Sequence, residues 1–159
     1  MLGAIIDNST RVIYLKDRQG RYLLVNRQYE QSFHLTCQQI VGKTDYEIFP
    51  RETADAFRAN DLQVLETEAP LEVEEVVAQD DGMHTYLSNK FPIRDESGVP
   101  YATCGISTDI TERKRSEKME ALGREQAQTW LDRLIEATQD AVVSIDRQGR
   151  IVVDRKSVV

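Results

Sequence analysis

The sequence predicts an α+β fold: a five-stranded antiparallel sheet with short helices and one longer helix on one face, then a C-terminal connecting helix. Three observations predict it. Two short β-branched and aromatic runs open the chain on either side of a turn. A middle segment has helical spacing, and the pattern then returns to three strand-like runs separated by two turns.

The opening strands are predicted over residues 11–16 and 22–26. The turn between them begins with Asp17 and ends with Gly20, which are residues that favour tight turns. A short helix is expected over residues 27–33, with Asn26 as its N-cap.

The middle segment contains two capping-box patterns and one long helix. Thr36 lies three residues before Gln39, and Thr44 lies three residues before Glu47. At this spacing the side chain of each residue can accept a hydrogen bond from the backbone N–H of the other. Pro50 is expected to open the longest helix and Pro70 to close it. The predicted apolar face of this helix consists of Ala54, Phe57, Leu62, Val64 and Leu65.

The second half of the sheet is predicted as a meander over residues 71–79, 85–93 and 101–108, with turns at 80–82 and 95–98. From residue 111 to about 138 the pattern is helical and highly charged at its start. Either a solvated connecting helix or a weak parallel coiled coil between two copies accounts for it.

Composition excludes several classes of protein. The 159 residues carry a net charge of −7, which disfavours a general nucleic-acid binder because phosphate backbones are also negative. No apolar run approaches the length of a membrane span, and no signal peptide is recognised. Cys37 and Cys104 do not form a disulfide framework, so a reduced, cytoplasmic setting is expected. His34 and His84, without a CxxC motif, argue against zinc.

The chain contains a partial internal repeat. Five residues from Asp17 to Arg21 recur from Asp146 to Arg150, inside a matching hydrophobic pattern. The predicted organisation is therefore a first domain over 1–111, a helical linker over 112–130, and the truncated start of a second copy over 131–159.

Four sequence blocks resemble a known family. Asp109-Ile110-Thr111, followed by Glu112, Arg113 and Lys114, resembles the motif that closes PAS domains of the S-box type. Residues 16–26, 42–50 and 90–95 resemble further blocks of that family, in family order. The resemblance covers residues 2–111 and restarts at 131.

The resemblance implies a cytoplasmic, non-enzymatic PAS module of a bacterial sensor protein. Such a module senses a small molecule or relays a signal through dimerisation to an output domain in the same parent chain. A histidine kinase is the favoured output domain. A diguanylate cyclase, or a ligand-free dimerisation scaffold, is the alternative. A homodimer is expected, with no nucleic acid and no direct membrane contact.

No cofactor is predicted, although an unknown small molecule remains open. The stretch 45–50 lacks the reactive cysteine of flavin-binding members, and residues 50–69 lack the histidine that haem-binding members use. Catalysis has little support, because the chain has neither GxGxxG nor a P-loop. The helix over 112–138 contains no histidine to accept a phosphoryl group, so any kinase or cyclase activity must lie elsewhere.

A ligand pocket is predicted between the sheet and the long helix. Matching the last two strands to the family makes its lining Phe57, Leu65, Tyr86, Ser88, Lys90, Thr103 and Ser107. The alternative is a core whose hydroxyl groups satisfy one another. Lys90 is expected either to pair with Asp45 or Glu75 and to anchor an anionic ligand, or to reach water from the strand end.

The predicted signal path leads through Asp109, Ile110 and Thr111 into the connecting helix. Asp109 can accept hydrogen bonds at the helix start, where its charge suits the helix dipole. About 20 helical residues at about 1.5 Å each would then form a lever roughly 30 Å long. The alternative is a passive tether.

Overall fold

A computed structural model describes residues 2–139, 141–145 and 151–155. The chain forms two compact units, Met1–Lys114 and Arg115–Val159. In chain order, the helices and strands are α1 (Leu2–Asp7), β1 (Val12–Asp17), β2 (Tyr22–Val25), α2 (Arg27–Phe33), α3 (Cys37–Ile40), a 3₁₀ turn (Asp45–Glu47), α4 (Arg51–Thr67), β3 (Leu71–Gln79), β4 (Gly82–Arg94), β5 (Pro100–Asp109), α5 (Thr111–Gln139), β6 (Ala141–Ile145) and β7 (Ile151–Arg155).

The first unit contains the predicted five-stranded sheet, with strand order β2-β1-β5-β4-β3. Every neighbouring pair is antiparallel. The first and last strands of the unit are thus hydrogen-bonded neighbours at the centre of the sheet. Because side chains alternate along a strand, Val12, Tyr14 and Lys16 all point to the inner face. The α+β prediction is confirmed.

Asn26 ties the start of α2 to β1. Its side-chain carbonyl accepts hydrogen bonds from the backbone N–H groups of Ile13 and Tyr29, at 2.9 and 3.1 Å. Its amide donates to the backbone carbonyls of Ile6 and Arg11, both at 2.9 Å. The predicted N-cap is confirmed, and the same fully buried side chain also fixes the end of α1. Both capping boxes are present as well, at Thr36 and Thr44.

The buried face of α4 differs from the predicted one. Ala54, Phe57, Asp61 and Val64 are buried, whereas Leu62 is 37% exposed. The spacing of three and four residues places these buried positions on one stripe, and Leu62 lies about 100° further round. An aspartate occupies the centre of the stripe because two lysines meet it there.

The last two strands of the meander are longer than predicted. The β3–β4 hairpin pairs Gln79 with Gly82, so β4 begins inside the expected turn. At the next turn Arg94 pairs with Pro100, which extends β5 at its start. The hydrogen bonds between the strands therefore continue closer to both turns than the composition of the turn segments suggests.

In the second unit, β6 and β7 form an antiparallel pair in which Val143 faces Val153. This hairpin lies at the repeat offset from β1 and β2, and residues 146–150 between its strands lie outside the described residues. Along α5, Met119 and Leu122 are exposed. Among the described helices, none combines the length and the hydropathy needed to traverse a lipid bilayer.

Candidate functional site

A buried ionic cluster lies between the sheet and α4. Lys16 Nζ is 2.8 and 2.6 Å from the two carboxylate oxygens of Asp45 and 2.9 Å from Asp61 Oδ2. Lys90 Nζ is 3.0 Å from Asp61 Oδ1 and 2.7 Å from Glu75 Oε1. Asp61 therefore joins two lysines from different strands.

Burial makes these pairs mutually dependent. An isolated ion in the interior is costly, and only a close, hydrogen-bonded counter-ion offsets the cost. Desolvation by itself would raise the pKa of Asp61, but the ammonium groups of Lys16 and Lys90 outweigh it and lower that pKa. Desolvation likewise opposes the charge of Lys90, yet Tyr14, Asp61 and Glu75 hold its pKa above the ordinary value. Asp61 and Lys90 are thus both held in their ionised forms.

Three tyrosines extend the cluster. The Tyr22 hydroxyl donates to Asp45 Oδ1 at 2.7 Å, and the Tyr29 hydroxyl donates to the Tyr22 hydroxyl at 3.0 Å. Their rings meet edge to face, and Tyr14 contacts both at centroid distances of 5.9 and 6.3 Å. Burial raises the pKa of all three phenols, so they stay protonated donors.

A cavity of about 30 Å³ lies beside the cluster, under the inner face of the sheet. Its polar edge contains Lys16, Glu75 and the hydroxyl pair Ser88–Ser107, whose oxygens are 2.8 Å apart. Its apolar wall consists of Val12, Val77 and the rings of Tyr14, Tyr22, Tyr29, Phe33, Phe49, Phe57 and Tyr86. Such a volume holds about two water molecules.

The predicted pocket residues occupy different places around this cavity. Phe57, Tyr86, Ser88 and Ser107 line it. Leu65, in contrast, is half-buried and lies away from the lining. Lys90 and Thr103 are buried on the inner face of the sheet, outside the lining. The ligand-binding role of these residues stays a prediction.

Lys90 pairs with one of its two alternative predicted partners. Glu75 does pair with it, but Asp45 pairs with Lys16 instead. Lys16 and Asp61 were not predicted as site residues. Two signals could have found them: Lys16 alternates with the inward positions Val12 and Tyr14, and Asp61 falls on the buried stripe of α4.

The junction between β5 and α5 is held by side-chain hydrogen bonds. Asp109 Oδ1 accepts from the backbone N–H of Thr111 at 2.9 Å and from its hydroxyl. The same hydroxyl accepts from the backbone N–H of Thr85, and the N–H of Ile110 donates to the Thr85 carbonyl. Ile110 and Thr111 are buried. The junction therefore anchors the start of α5 to β4.

His84 bridges this junction to the neighbouring hairpin turn. Its Nδ1 lies 2.7 Å from Asp109 Oδ2, and its Nε2 lies 2.8 Å from Asp81 Oδ1. The hydrogen bond to Asp109 is the main cause that raises the pKa of His84, with Asp81 adding to it. The contact between His84 and Asp109 was not predicted, because it depends on strand register.

The remaining candidates for redox or metal chemistry are separate from the cavity. Cys37 and Cys104 are free and half-buried, and burial raises the pKa of Cys104 to about 11. His34 is exposed at the end of α2. Within the described part of the chain, no group of three or more His, Cys, Asp or Glu side chains is arranged to hold a metal ion.

A five-stranded antiparallel sheet that encloses a cavity against one long helix, and leads into a capped exit helix, defines an α+β sensor-type domain. The chain belongs to the PAS fold family, whose model matches residues 6–115. This confirms the family suggested by the four sequence blocks.

The relatives place this fold in signalling proteins. The chain is 33% identical over 141 residues to the methanogenesis regulatory histidine kinase FilI of Methanothrix harundinacea, covering 89% of this chain and 15% of the kinase. It is also 33% identical over 103 residues to a diguanylate cyclase of Vibrio cholerae, covering 63% of this chain and 32% of the cyclase. The chain therefore spans less than a third of the length of either relative.

Among solved structures, the Vibrio cholerae VqmA–ligand–DNA complex is similar. Its TM-score is 0.63 at 25% identity, over 68% of this chain and 50% of that chain.

Proposed function

We propose that residues 1–111 are a non-enzymatic sensory PAS module that relays a signal through α5 to an output domain of the same parent chain. A histidine kinase is the first candidate for that output domain and a diguanylate cyclase the second, since relatives of both kinds match this chain. Residues 112–130 act as the linker, and residues 131–159 begin a second PAS domain. The module works as a cytoplasmic homodimer without nucleic acid.

One observation carries this proposal. The strands that contribute Tyr86, Ser88 and Ser107 to the cavity are the strands that hold the start of α5. β5 ends at Asp109, which caps Thr111, and β4 contributes Thr85 to the same hydrogen-bond set. A change in the cavity that shifts β4 against β5 therefore alters the base of α5.

Asp109→Ala in the full-length parent protein tests the relay. It removes the cap but leaves the cavity intact, so basal output should change while the domain stays folded. Asp95→Ala is the matched control, because Asp95 accepts equivalent turn hydrogen bonds from Ser97 and Val99 at the other end of β5. Equal output from the wild type and both variants would rule out the relay.

A helix insertion tests the mechanical role of α5. Four residues added after Glu117 shift the phase of a helical lever, whereas seven residues approximately restore it. Regulation should be lost or inverted with four residues and retained with seven. Unchanged regulation in both would make α5 a passive spacer.

The second candidate function is a ligand-free dimerisation scaffold, which the small volume of the cavity favours. Ser107→Val distinguishes the two, because it fills part of the cavity and breaks the hydroxyl pair with Ser88. A scaffold would keep its regulated output in this variant, and a small-molecule sensor would lose its response.

A further inference from the structure

The buried charges beside the cavity are unequal in number. Lys16 and Lys90 provide two ammonium groups, whereas Asp45, Asp61 and Glu75 provide three carboxylates. Because every one of these side chains is at most 7% exposed, water screens the extra carboxylate poorly. The cluster as a whole therefore contains one more carboxylate than ammonium groups, and two of its members, Lys16 and Glu75, line the cavity.

Neither lysine is available to hold an anion. An ammonium group has three protons, and those of Lys16 are engaged by both oxygens of Asp45 and by Asp61. Lys90 already pairs with the carboxylates of Asp61 and Glu75, and it lies outside the cavity lining. An anionic guest would have to displace a buried carboxylate, which argues against the anionic ligand expected from the sequence.

Glu75 is the carboxylate that borders the cavity. Both of its described contacts, from Lys90 Nζ and Asn60 Nδ2, are made by Oε1. Oε2 is therefore the oxygen that can accept a hydrogen bond from a guest. The side chain of Glu75 is buried on the inner face of β3, whereas the side chains of Glu72 and Glu74 on the same strand are exposed.

The aromatic wall suits a positive charge. Ring faces attract cations, and an ammonium within about 6 Å of a ring centroid is stabilised. Lys16 Nζ already lies 4.7 Å from the Tyr22 centroid and 5.8 Å from that of Phe57. Lys90 Nζ lies 5.2 Å from the Phe57 centroid. The rings that surround these ammonium groups also line the cavity.

Phe33 and Phe49 lie at the boundary of the cavity. These half-buried rings pack edge to face at 5.4 Å and line both the cavity and an outer groove that contains Asp80. A rotation of either ring would open the cavity to the groove. The volume of about 30 Å³ limits a guest to a few non-hydrogen atoms unless the rings move.

We propose that the cavity selects a small organic cation, an ammonium ion with one or a few small alkyl groups, over neutral molecules and anions of similar size. Glu75 is the residue that determines this specificity. The inference rests on the proposed function, because it names the ligand class of the same cavity.

Titrations of the full chain with three small probes test this inference. Ethylammonium chloride, ethanol and sodium acetate, at constant ionic strength, are compared by amide NMR shifts of Ser88 and Ser107. Ethylammonium should give saturable shifts at the lowest concentration. Glu75→Gln should weaken its binding about tenfold or more, because a hydrogen bond to a charged group is lost. Glu72→Gln, which neutralises an exposed carboxylate on the same strand, should leave it unchanged.

The contrary outcomes separate the inference from the proposed function. Saturable binding of acetate or ethanol without ethylammonium would overturn the cation class but keep a ligand-binding cavity. Equal ethylammonium affinity in the wild type and Glu75→Gln would overturn the role of Glu75. The absence of binding by all three probes would overturn the inference, while the relay through Asp109 is judged independently by the output of the parent protein.

Discussion

The ring of Tyr14 lies against Gly105 on the neighbouring strand, in the space that a side chain at position 105 would occupy. A Cβ at this position would overlap the Cζ and hydroxyl oxygen of Tyr14. The absence of a side chain at position 105 is therefore what allows a tyrosine to lie flat on the inner face beside Lys16 and Lys90.

Gly105→Ala should destabilise the first unit by about 1–3 kcal/mol, because the added methyl group must displace Tyr14. Urea unfolding followed by circular dichroism measures the change. Gly123→Ala is the control: Gly123 lies in α5 with open space around it, so alanine there should be neutral or stabilising by up to about 1 kcal/mol. Equal stability of Gly105→Ala and the wild type would mean that Tyr14 moves at no cost.

Asp61→Ala should be among the most destabilising substitutions in the domain. It removes a shared counter-ion of Lys16 and Lys90, and breaking a buried pair costs about 3–5 kcal/mol. Denaturant midpoints at fixed pH provide the measurement. Asp55→Ala, an exposed position on the same helix, should cost less than about 1 kcal/mol. Similar losses from the two variants would contradict a special role for the ionic cluster.

Asn26→Ala should cost about 2–4 kcal/mol, more than an ordinary N-cap, because four backbone groups lose their partner in a buried site. Thermal unfolding can measure the loss. Asn8→Ala removes only an exposed hydrogen bond to the Ala4 carbonyl and should have little effect. A small loss from Asn26→Ala would show that water replaces the side chain.

The His84 bridge should make stability depend on pH. The pKa of His84 is higher in the folded protein than in the unfolded chain, so protonated His84 stabilises the fold. This contribution is complete below the unfolded pKa, near 6.5, and is lost as the pH rises through the folded pKa. The groups that face His84 are Asp109, Asp81 and the ring of Tyr86. The stability difference between the wild type and His84→Gln should therefore be largest near pH 6 and shrink toward pH 9.

This measurement is best made in a His34→Gln background, where His84 is the remaining histidine of the chain. The measured pH range stays above 5.5 so that Asp109 remains ionised throughout. The pKa of Asp109 is lowered: desolvation opposes the shift, but hydrogen bonds from Thr111 and His84 outweigh it. The contribution of Asp109 is present above its unfolded pKa and is lost only as pH falls further through the folded value. A difference that does not vary between pH 6 and 9 would show that the bridge adds nothing.

The strands of the five-stranded sheet and the helices between them could be predicted in order from the sequence, whereas α1 was not predicted. Local signals were sufficient for this: Asn26 ends a strand and caps a helix, Thr36 and Thr44 open capping boxes, and Gly20 closes a turn. These signals act over a few residues, so no knowledge of distant parts of the chain is needed. The inward direction of Tyr86, Ser88 and Ser107 was expected from the resemblance to the family, and alternation along the strand added Lys90 to the same face.

Which charged side chains meet depends on contacts between distant parts of the chain. Lys16 and Asp61 are 45 residues apart, and His84 and Asp109 are 25 apart. Their contacts depend on the pairing of β1 with β5 and of β4 with β5, and on the rotation of α4 above the sheet. A shift of one residue in a strand moves every side chain to the opposite face, so these partners cannot be read from spacing along the chain. The register therefore decides both the charges that meet beside the cavity and the contact between His84 and Asp109.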